Sequence, residues 1–179
     1  MGVTIRRATE SDADLLSTIA LKIFLDTFAA QNNPRDIEIH AKRAYAPEIQ
    51  LRELQDPAKI YLIAESDGVP AGFAMLGEPE SDSCSAFDSP VELFRFYVDQ
   101  EWHGQGIAQR MMNEVEDLAR SLGGRTLCLG VWEHNPRAIR FYEKIGFTDA
   151  GSQPYLLGED LQTDRVMVRT ISERNSETA

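Results

Sequence analysis

The chain has 179 residues, with 29 Asp and Glu against 18 Lys and Arg, a formal net charge of −11, and 42% hydrophobic residues. That length allows one domain with a full core, and so acidic a surface repels nucleic-acid phosphates and anionic lipid heads while it attracts cations. No apolar run is long enough to cross a bilayer, Thr4, Arg6 and Arg7 interrupt any signal-like stretch, and Cys84 and Cys128 are too few for a disulfide framework, so a cytoplasmic protein with reduced thiols is expected.

Val3 to Arg7 reads as a first strand, and Ser11 or Asp12 can cap a helix whose apolar side runs through Leu15, Ile19, Ile23 and Phe24 toward Phe28. Asn32-Asn33-Pro34 breaks it. The charged stretch from Pro34 to about Leu54 contains Pro47 and reads as two short helices. Ile60 to Glu65 and Gly72 to Leu76 form a hairpin around Asp67-Gly68, and the polar segment from Glu78 to Ser89 is a surface loop. Val91 to Val98 is a strand, with Leu93, Arg95 and Tyr97 on one side and Glu92, Phe94, Phe96 and Val98 on the other.

His103-Gly104-Gln105-Gly106-Ile107-Ala108 joins that strand to a helix. Ile107, Met111, Val115, Leu118, Ala119 and Leu122 recur at spacings of three and four, drawing one apolar stripe to about Gly123. Glycines where a strand turns into a helix permit left-handed backbone angles, and the free N–H groups of the first turn carry partial positive charge, so the junction can cradle a phosphate. A P-loop would need Gly-Lys-Ser/Thr where Gly106-Ile107-Ala108 stands, and a dinucleotide fingerprint would need a third glycine and a place in the first βα unit. An anion site and a plain tight turn both remain open on this motif alone. Thr126 to Val131 is a further strand. It leads into a complete short helix with Asn135 as N-cap, Pro136 at the first position and Gly146 as the stop. Asp164 to Thr170 is a last strand, followed by a polar tail, residues 172–179, expected to be disordered. The three histidines, His40, His103 and His134, show no metal-ligand spacing, so no metal is expected.

The two junctions together, VxxxxHGQGIA and NxxAxxFYxKxGF about thirty residues later, resemble the acetyl-CoA-binding half of the GNAT superfamily of N-acetyltransferases. The resemblance spans roughly Ile5 to Thr170 and is strongest from Val91 to Phe147. It implies a mixed αβ domain over residues 1–171: a central, mostly antiparallel sheet of about seven strands, splayed between the fourth and fifth and flanked by about four helices. It implies acetyl-CoA as co-substrate. The backbone of His103, Gly104, Gln105, Gly106, Ile107 and Ala108 would hold its pyrophosphate, although His103 stands where the family usually has Arg or Gln. Phe96 and Val98 would pair through their backbones with the pantetheine arm, Asn135 would face the cofactor, and Tyr142 would place its hydroxyl near the thioester sulfur.

Transfer to an amine then needs an acid for the leaving thiolate, and a phenol of pKa ~10 suits it, which points to Tyr142, although its spacing from Ala138 and Ile139 also suits a core aromatic. An amine of pKa ~10.4 must also lose a proton at a cost of ~4.6 kcal/mol at pH 7. Glu92 is the first candidate base by its place in the implied fold and Glu133 the second; each also reads as a solvated charge at a strand end. The expected acceptor is a primary amine, whether a polyamine, another small amine or a peptide or protein amine. Asp26 to Pro57 is loosely similar to polyamine-acetylating relatives, and the resemblance implies that the segment holding Phe24 and Phe28 builds the acceptor site, while core packing also accounts for these rings. Nucleic acid and membrane are not expected as partners, and a homodimer is left open. The alternatives are a non-catalytic acyl-CoA sensor or interaction module of the same fold, and a nucleotide enzyme that uses the glycine loop.

Overall fold

Seven apolar or alternating segments align into a single sheet in the computed structural model, which describes residues 2–171. The strands are β1 (Val3–Arg7), β2 (Lys59–Ser66), β3 (Val69–Gly77), β4 (Pro90–Val98), β5 (Thr126–Trp132), β6 (Thr148–Leu157) and β7 (Asp160–Thr170), in the order β1-β2-β3-β4-β5-β7-β6. Every neighbouring pair is antiparallel except β4 and β5, which are parallel. The tail expected to be disordered lies outside the described residues.

The helices are α1 (Ala13–Phe28), α2 (Pro34–Tyr45), α3 (Pro47–Gln55), α4 (Asp82–Ser85), α5 (Ile107–Ser121) and α6 (Pro136–Lys144). Among the described residues six therefore flank the sheet rather than about four, because Pro47 restarts the chain as α3 and one turn, α4, forms inside the expected loop. On one face Leu16, Ile19, Ile23 and Phe24 of α1 pack with Tyr61, Ile63, Phe73 and Met75 of the sheet. On the other, Met111, Met112 and Val115 of α5 and Ile139 of α6 cover Leu62, Leu76, Leu127 and Leu129. Asp67 and Gly68 turn the β2–β3 hairpin with φ of 50° and 81°, the paired left-handed angles that a two-residue turn demands.

Two irregularities shape the middle of the sheet. Met75 lies opposite Arg95 and Leu76 opposite Leu93, so Phe94 is an extra residue, a bulge, in β4. The bulge reverses the side-chain phase: Leu93 joins Phe96 and Val98 beneath α5 and α6, and Glu92 turns to the opposite face. The expected sharing of one face by Glu92, Phe96 and Val98 does not hold. The second irregularity is the parallel seam. β4 and β5 pair only over Pro90–Glu92 and Thr126–Cys128, yet β4 stays with β3 as far as Val98 and β5 with β7 as far as Trp132. Beyond Glu92 and Cys128 the two strands part.

The cysteines correct another expectation. Cys84 and Cys128 form a disulfide, and neither thiol is free. The segment after β3 stays largely exposed, but one turn of it is anchored to the sheet. Glu92 accepts hydrogen bonds from the amides of Glu80 and Ser81, the Ser81 hydroxyl caps α4 at Cys84 N, and Cys84 is thereby packed without exposure against Cys128 and Val166. Reduced thiols, expected from the cysteine count, are therefore not found among the described residues. Among the described residues no helix is long and apolar enough to cross a membrane.

Candidate active site

Where β4 and β5 part, a cavity of about 670 Å³ opens. Its walls come from both sides of the sheet: Ile107, Phe141 and Tyr142 from α5 and α6, Phe24, Phe28 and His40 from α1 and α2, and between them Phe96 and Val98 of β4 and Gly130 and Trp132 of β5. The cavity thus passes through the sheet. Asp99 donates its amide to Ala71 O at 2.8 Å, so the alternation of an antiparallel ladder turns the backbone groups of Phe96 and Val98 away from β3, toward the gap.

At one end lies the glycine turn. Gly104 and Gly106 both have φ of +79°, and a Cβ at either would meet nothing within 4 Å, so glycine is needed there for backbone handedness rather than for room. Gly106 precedes α5 with no side-chain cap. Among the described residues, no backbone N–H from Gly104 to Gln109 donates to a backbone acceptor. These amides, at the positive end of a 15-residue helix, fit an anion such as a diphosphate, and Arg137 and Lys144 line the same cavity. The Gln105 side chain turns back to Glu101 O at 3.3 Å. His103 Nε2 lies 2.8 Å from Val98 O, which requires the N–H tautomer at that nitrogen and occupies the Val98 carbonyl.

Asn135 caps α6 by accepting from Ala138 N at 3.2 Å, which leaves its NH2 group for the cavity it lines. One helix further on, Tyr142 is 7% exposed and lines the cavity, with its ring 5.5 Å from those of Phe141 and Phe147 and 6.3 Å from that of Phe96. Burial pushes its pKa above the ordinary phenol value, so the hydroxyl stays protonated at neutral pH. It is at once a packed aromatic and a wall of the cavity.

Neither candidate base reaches this space. Glu92 does not line the cavity; its Oε2 is held by Glu80 N at 2.8 Å and Ser81 N at 3.0 Å, at the closed end of the gap, where the bulge at Phe94 has turned it. Glu133 follows β5, its side chain 43% exposed and 3.7 Å from His134 Nε2, and it does not line the cavity either. Two carboxyl groups do line it: Asp26 of α1, paired with Lys22, and Asp164 of β7, 7% exposed, its pKa pushed up to about 6 by burial and secondarily by the charge of Glu133. Nearby, His40 Nε2 lies 3.3 Å from Tyr155 Oη, and burial, with Arg95 and Arg43, lowers the His40 pKa to about 4, so it is neutral at pH 7. Nothing local in the sequence marks Asp164 or Tyr155 as site residues, and His40 shows there only as a histidine without metal-ligand spacing. Asp164 registered only as the start of a strand, and β6, which carries Tyr155, was not assigned. Among the described residues no three His, Cys, Asp or Glu side chains converge as metal ligands.

Comparison with known proteins places this geometry. The sequence model of the acetyltransferase (GNAT) family matches residues 21–147. An uncharacterised N-acetyltransferase of Mycobacterium bovis is 32% identical over 161 residues, 90% of this chain and 99% of that one. The spermine/spermidine N(1)-acetyltransferase of Bacillus subtilis is 31% identical over 107 residues, 59% of this chain and 66% of that one. The crystal structure of the PaiA N-acetyltransferase from Thermoplasma acidophilum in complex with coenzyme A shares the fold, with a TM-score of 0.78 at 23% identity, covering 95% of this chain and 99% of that one. A sheet parted at its parallel seam and a turn of free amides beside the opening are thus joined to sequence kinship along most of the chain, which belongs to the GNAT family of acetyltransferases, acyltransferases that draw on acetyl-CoA.

Proposed function

We propose that this protein moves an acetyl group from acetyl-CoA directly to the nitrogen of a primary amine, with both substrates bound together. The observation that carries the reading is the cavity crossing the sheet where β4–β5 pairing stops at Glu92 and Cys128. A thioester-bearing arm laid in that gap from the α5 and α6 side finds the amides of Gly104 to Ala108 for its diphosphate, the unclaimed backbone groups of Phe96, and Asn135. An amine entering from the α1 and α2 side meets it within the gap. Held in one cavity, the two react as if at high local concentration, which removes much of the entropic barrier.

Tyr142 is the acid in this reading. Its hydroxyl is kept protonated by burial, and a thiolate released into the same desolvated cavity has its basicity raised too, so the phenol can return a proton to it. The net charge of −11 supports a cationic acceptor. So does the kinship with a relative named for spermine and spermidine, which keeps polyamines beside other small amines and peptide amines as candidates.

The test is free-thiol release from acetyl-CoA in the presence of polyamines, amino acids, arylalkylamines and basic peptides, with Tyr142→Phe alongside. Turnover with at least one amine, and a loss of about 10²–10⁴-fold in Tyr142→Phe at unchanged coenzyme A affinity, is the expected result. A protein that binds acetyl-CoA but releases thiol only at the background rate with every amine is a sensor instead. Stabilisation by ATP or NAD in place of coenzyme A in a melting assay would mark a nucleotide site.

A further inference from the structure

We infer that Asp164 is the carboxylate that meets the acceptor nitrogen, and that the acceptor is an amine carrying one cationic centre on an apolar or aromatic body. The inference rests on the acetyl-transfer reading above and narrows it.

The position of Asp164 follows from strand register. It lies opposite Trp132 of β5 and Gln153 of β6, and cross-strand neighbours share a face. Trp132 packs on Phe28 of α1 with ring centroids 5.9 Å apart, so Asp164 faces the α1 and α2 side of the sheet. Gly130 fixes the group more closely. A Cβ at Gly130 would stand 3.1 Å from Asp164 Oδ2 and 2.7 Å from Gln153 Nε2, and this glycine has no left-handed φ to explain it. Its bareness is what lets the carboxylate lie against the β5 backbone. Gly130 is two residues past Cys128, the last β5 residue paired with β4, so Asp164 sits over the first open stretch of the gap.

Nothing else claims this carboxylate. Among the described residues no hydrogen bond or cation stabilises its charge; burial and Glu133 both act against it. Arg137, Lys144 and Tyr142 line the cavity from α6 and His103 from the glycine turn; on the Asp164 side of the sheet the titratable groups that flank it or line the cavity are Glu133 after β5, Tyr155 on β6, Tyr97 on β4, His40 and Tyr45 on α2 and Asp26 on α1. None of the groups on that side supplies a positive charge at pH 7, since His40 is neutral there. A buried carboxylate without a cation is costly unless a ligand brings one.

The walls select the rest of the ligand. Phe28 contacts both Tyr97 and Trp132, and Phe24 contacts Phe28 and His40, so the approach to Asp164 is lined by rings. Ring faces favour an ammonium and an apolar body alike. The other carboxylate lining the cavity, Asp26, is already paired with Lys22 Nζ at 3.2 Å. A polyamine would bring further charges into an aromatic slot with no carboxylate to meet them.

In the reaction the nitrogen enters as an ammonium and sheds two protons. Asp164 takes one and returns it to water. A carboxyl raised to about 6 is a nearer match to an amine than an ordinary carboxylate, which eases that transfer. The C–N bond forms as the C–S bond breaks, Tyr142 gives its proton to the sulfur, and the second nitrogen proton balances the one Tyr142 regains from water.

The test compares 2-phenylethylamine, hexylamine and spermidine as acceptors for the wild-type chain and for Asp164→Asn, at saturating acetyl-CoA, with acetyl-CoA affinity measured separately by calorimetry. The expected result is that wild type prefers the two monoamines over spermidine by at least about tenfold in kcat/KM, and that their kcat/KM rises with pH through about 6. Asp164→Asn then loses about 100-fold or more, loses that pH limb, and keeps its acetyl-CoA affinity. A wild-type preference for spermidine, or Asp164→Asn within about threefold of wild type, overturns the inference while leaving acetyl transfer intact. The acceptor preference needs no variant, so a poorly folding Asp164→Asn does not protect the inference. If wild type binds acetyl-CoA and acetylates no amine, the acetyl-transfer reading fails first and takes the inference with it.

Discussion

The Nε2 of His103 stands 2.8 Å from the carbonyl oxygen of Val98, so the turn whose amides are offered to a diphosphate is tied to the strand whose edge faces the gap. On the proposed function, His103 would then act on coenzyme A binding by tying the turn to the strand. Replacing it with Ala removes one hydrogen bond, worth about 0.5–1.5 kcal/mol net, and frees the turn. Coenzyme A affinity, followed by calorimetry, should weaken by about 3- to 10-fold while the folded structure survives.

Glu92 gives the opposite expectation. It holds two backbone amides and does not line the cavity. Glu92→Gln keeps a carbonyl oxygen for those amides and should turn over within about threefold of wild type. Glu92→Ala leaves both amides without their acceptor and should cost about 1–3 kcal/mol of stability, read from denaturant unfolding. A collapse of kcat in Glu92→Gln at normal stability would restore it as the base.

Asp164 should trade stability for function. Its folded pKa is raised to about 6, above the ordinary 3.8, so folding favours the protonated form. Its contribution is fully favourable below about pH 4 and is lost as pH rises through about 6. At pH 7.5 Asp164→Asn should therefore melt higher than wild type, by a stability on the order of 2 kcal/mol, and at pH 4 the advantage should vanish. Calorimetric melts at the two pH values check this, and a variant less stable at both would contradict it.

The Cys84–Cys128 bond closes a loop between residues 44 apart. Such a crosslink is worth roughly 2–4 kcal/mol, largely by restricting the unfolded chain. The melting temperature of the wild type should fall on adding reductant, and that of Cys84→Ser should not respond. Equal melts with and without reductant would show that the bond contributes nothing.

What the sequence disclosed and what it withheld divide along one line. Gly104, Gly106, Asn135, Pro136 and Pro47 act on their own backbone or on that of the next few residues, so the glycine turn, both helix starts and the α2–α3 break were legible. The facing pair β4 and β5 followed from the motifs that flank them. The bulge at Phe94 was not legible, because it exists only in the register with β3 and leaves no local mark. β6 was not, because as the edge strand it is exposed on both sides along most of its length and shows no alternation to read. The cysteine pair needed one turn of the loop after β3 to be anchored to the sheet, and Asp164 needed a strand pairing to bring it over Gly130. Each of these depends on a partner far away in the chain.

The three-residue seam of Pro90–Glu92 with Thr126–Cys128 has one more consequence. Among the described residues it is the one backbone ladder joining β1 through β4 to β5 through β7, so beyond it the halves are held by the side chains under α5 and α6 and by the Cys84–Cys128 bond, and whatever fills the opening adds to these. A guest that offers amide groups to both banks supplies the rungs the ladder lacks. Folding and occupancy are then linked by mass action, and heat resistance becomes a gauge of saturation.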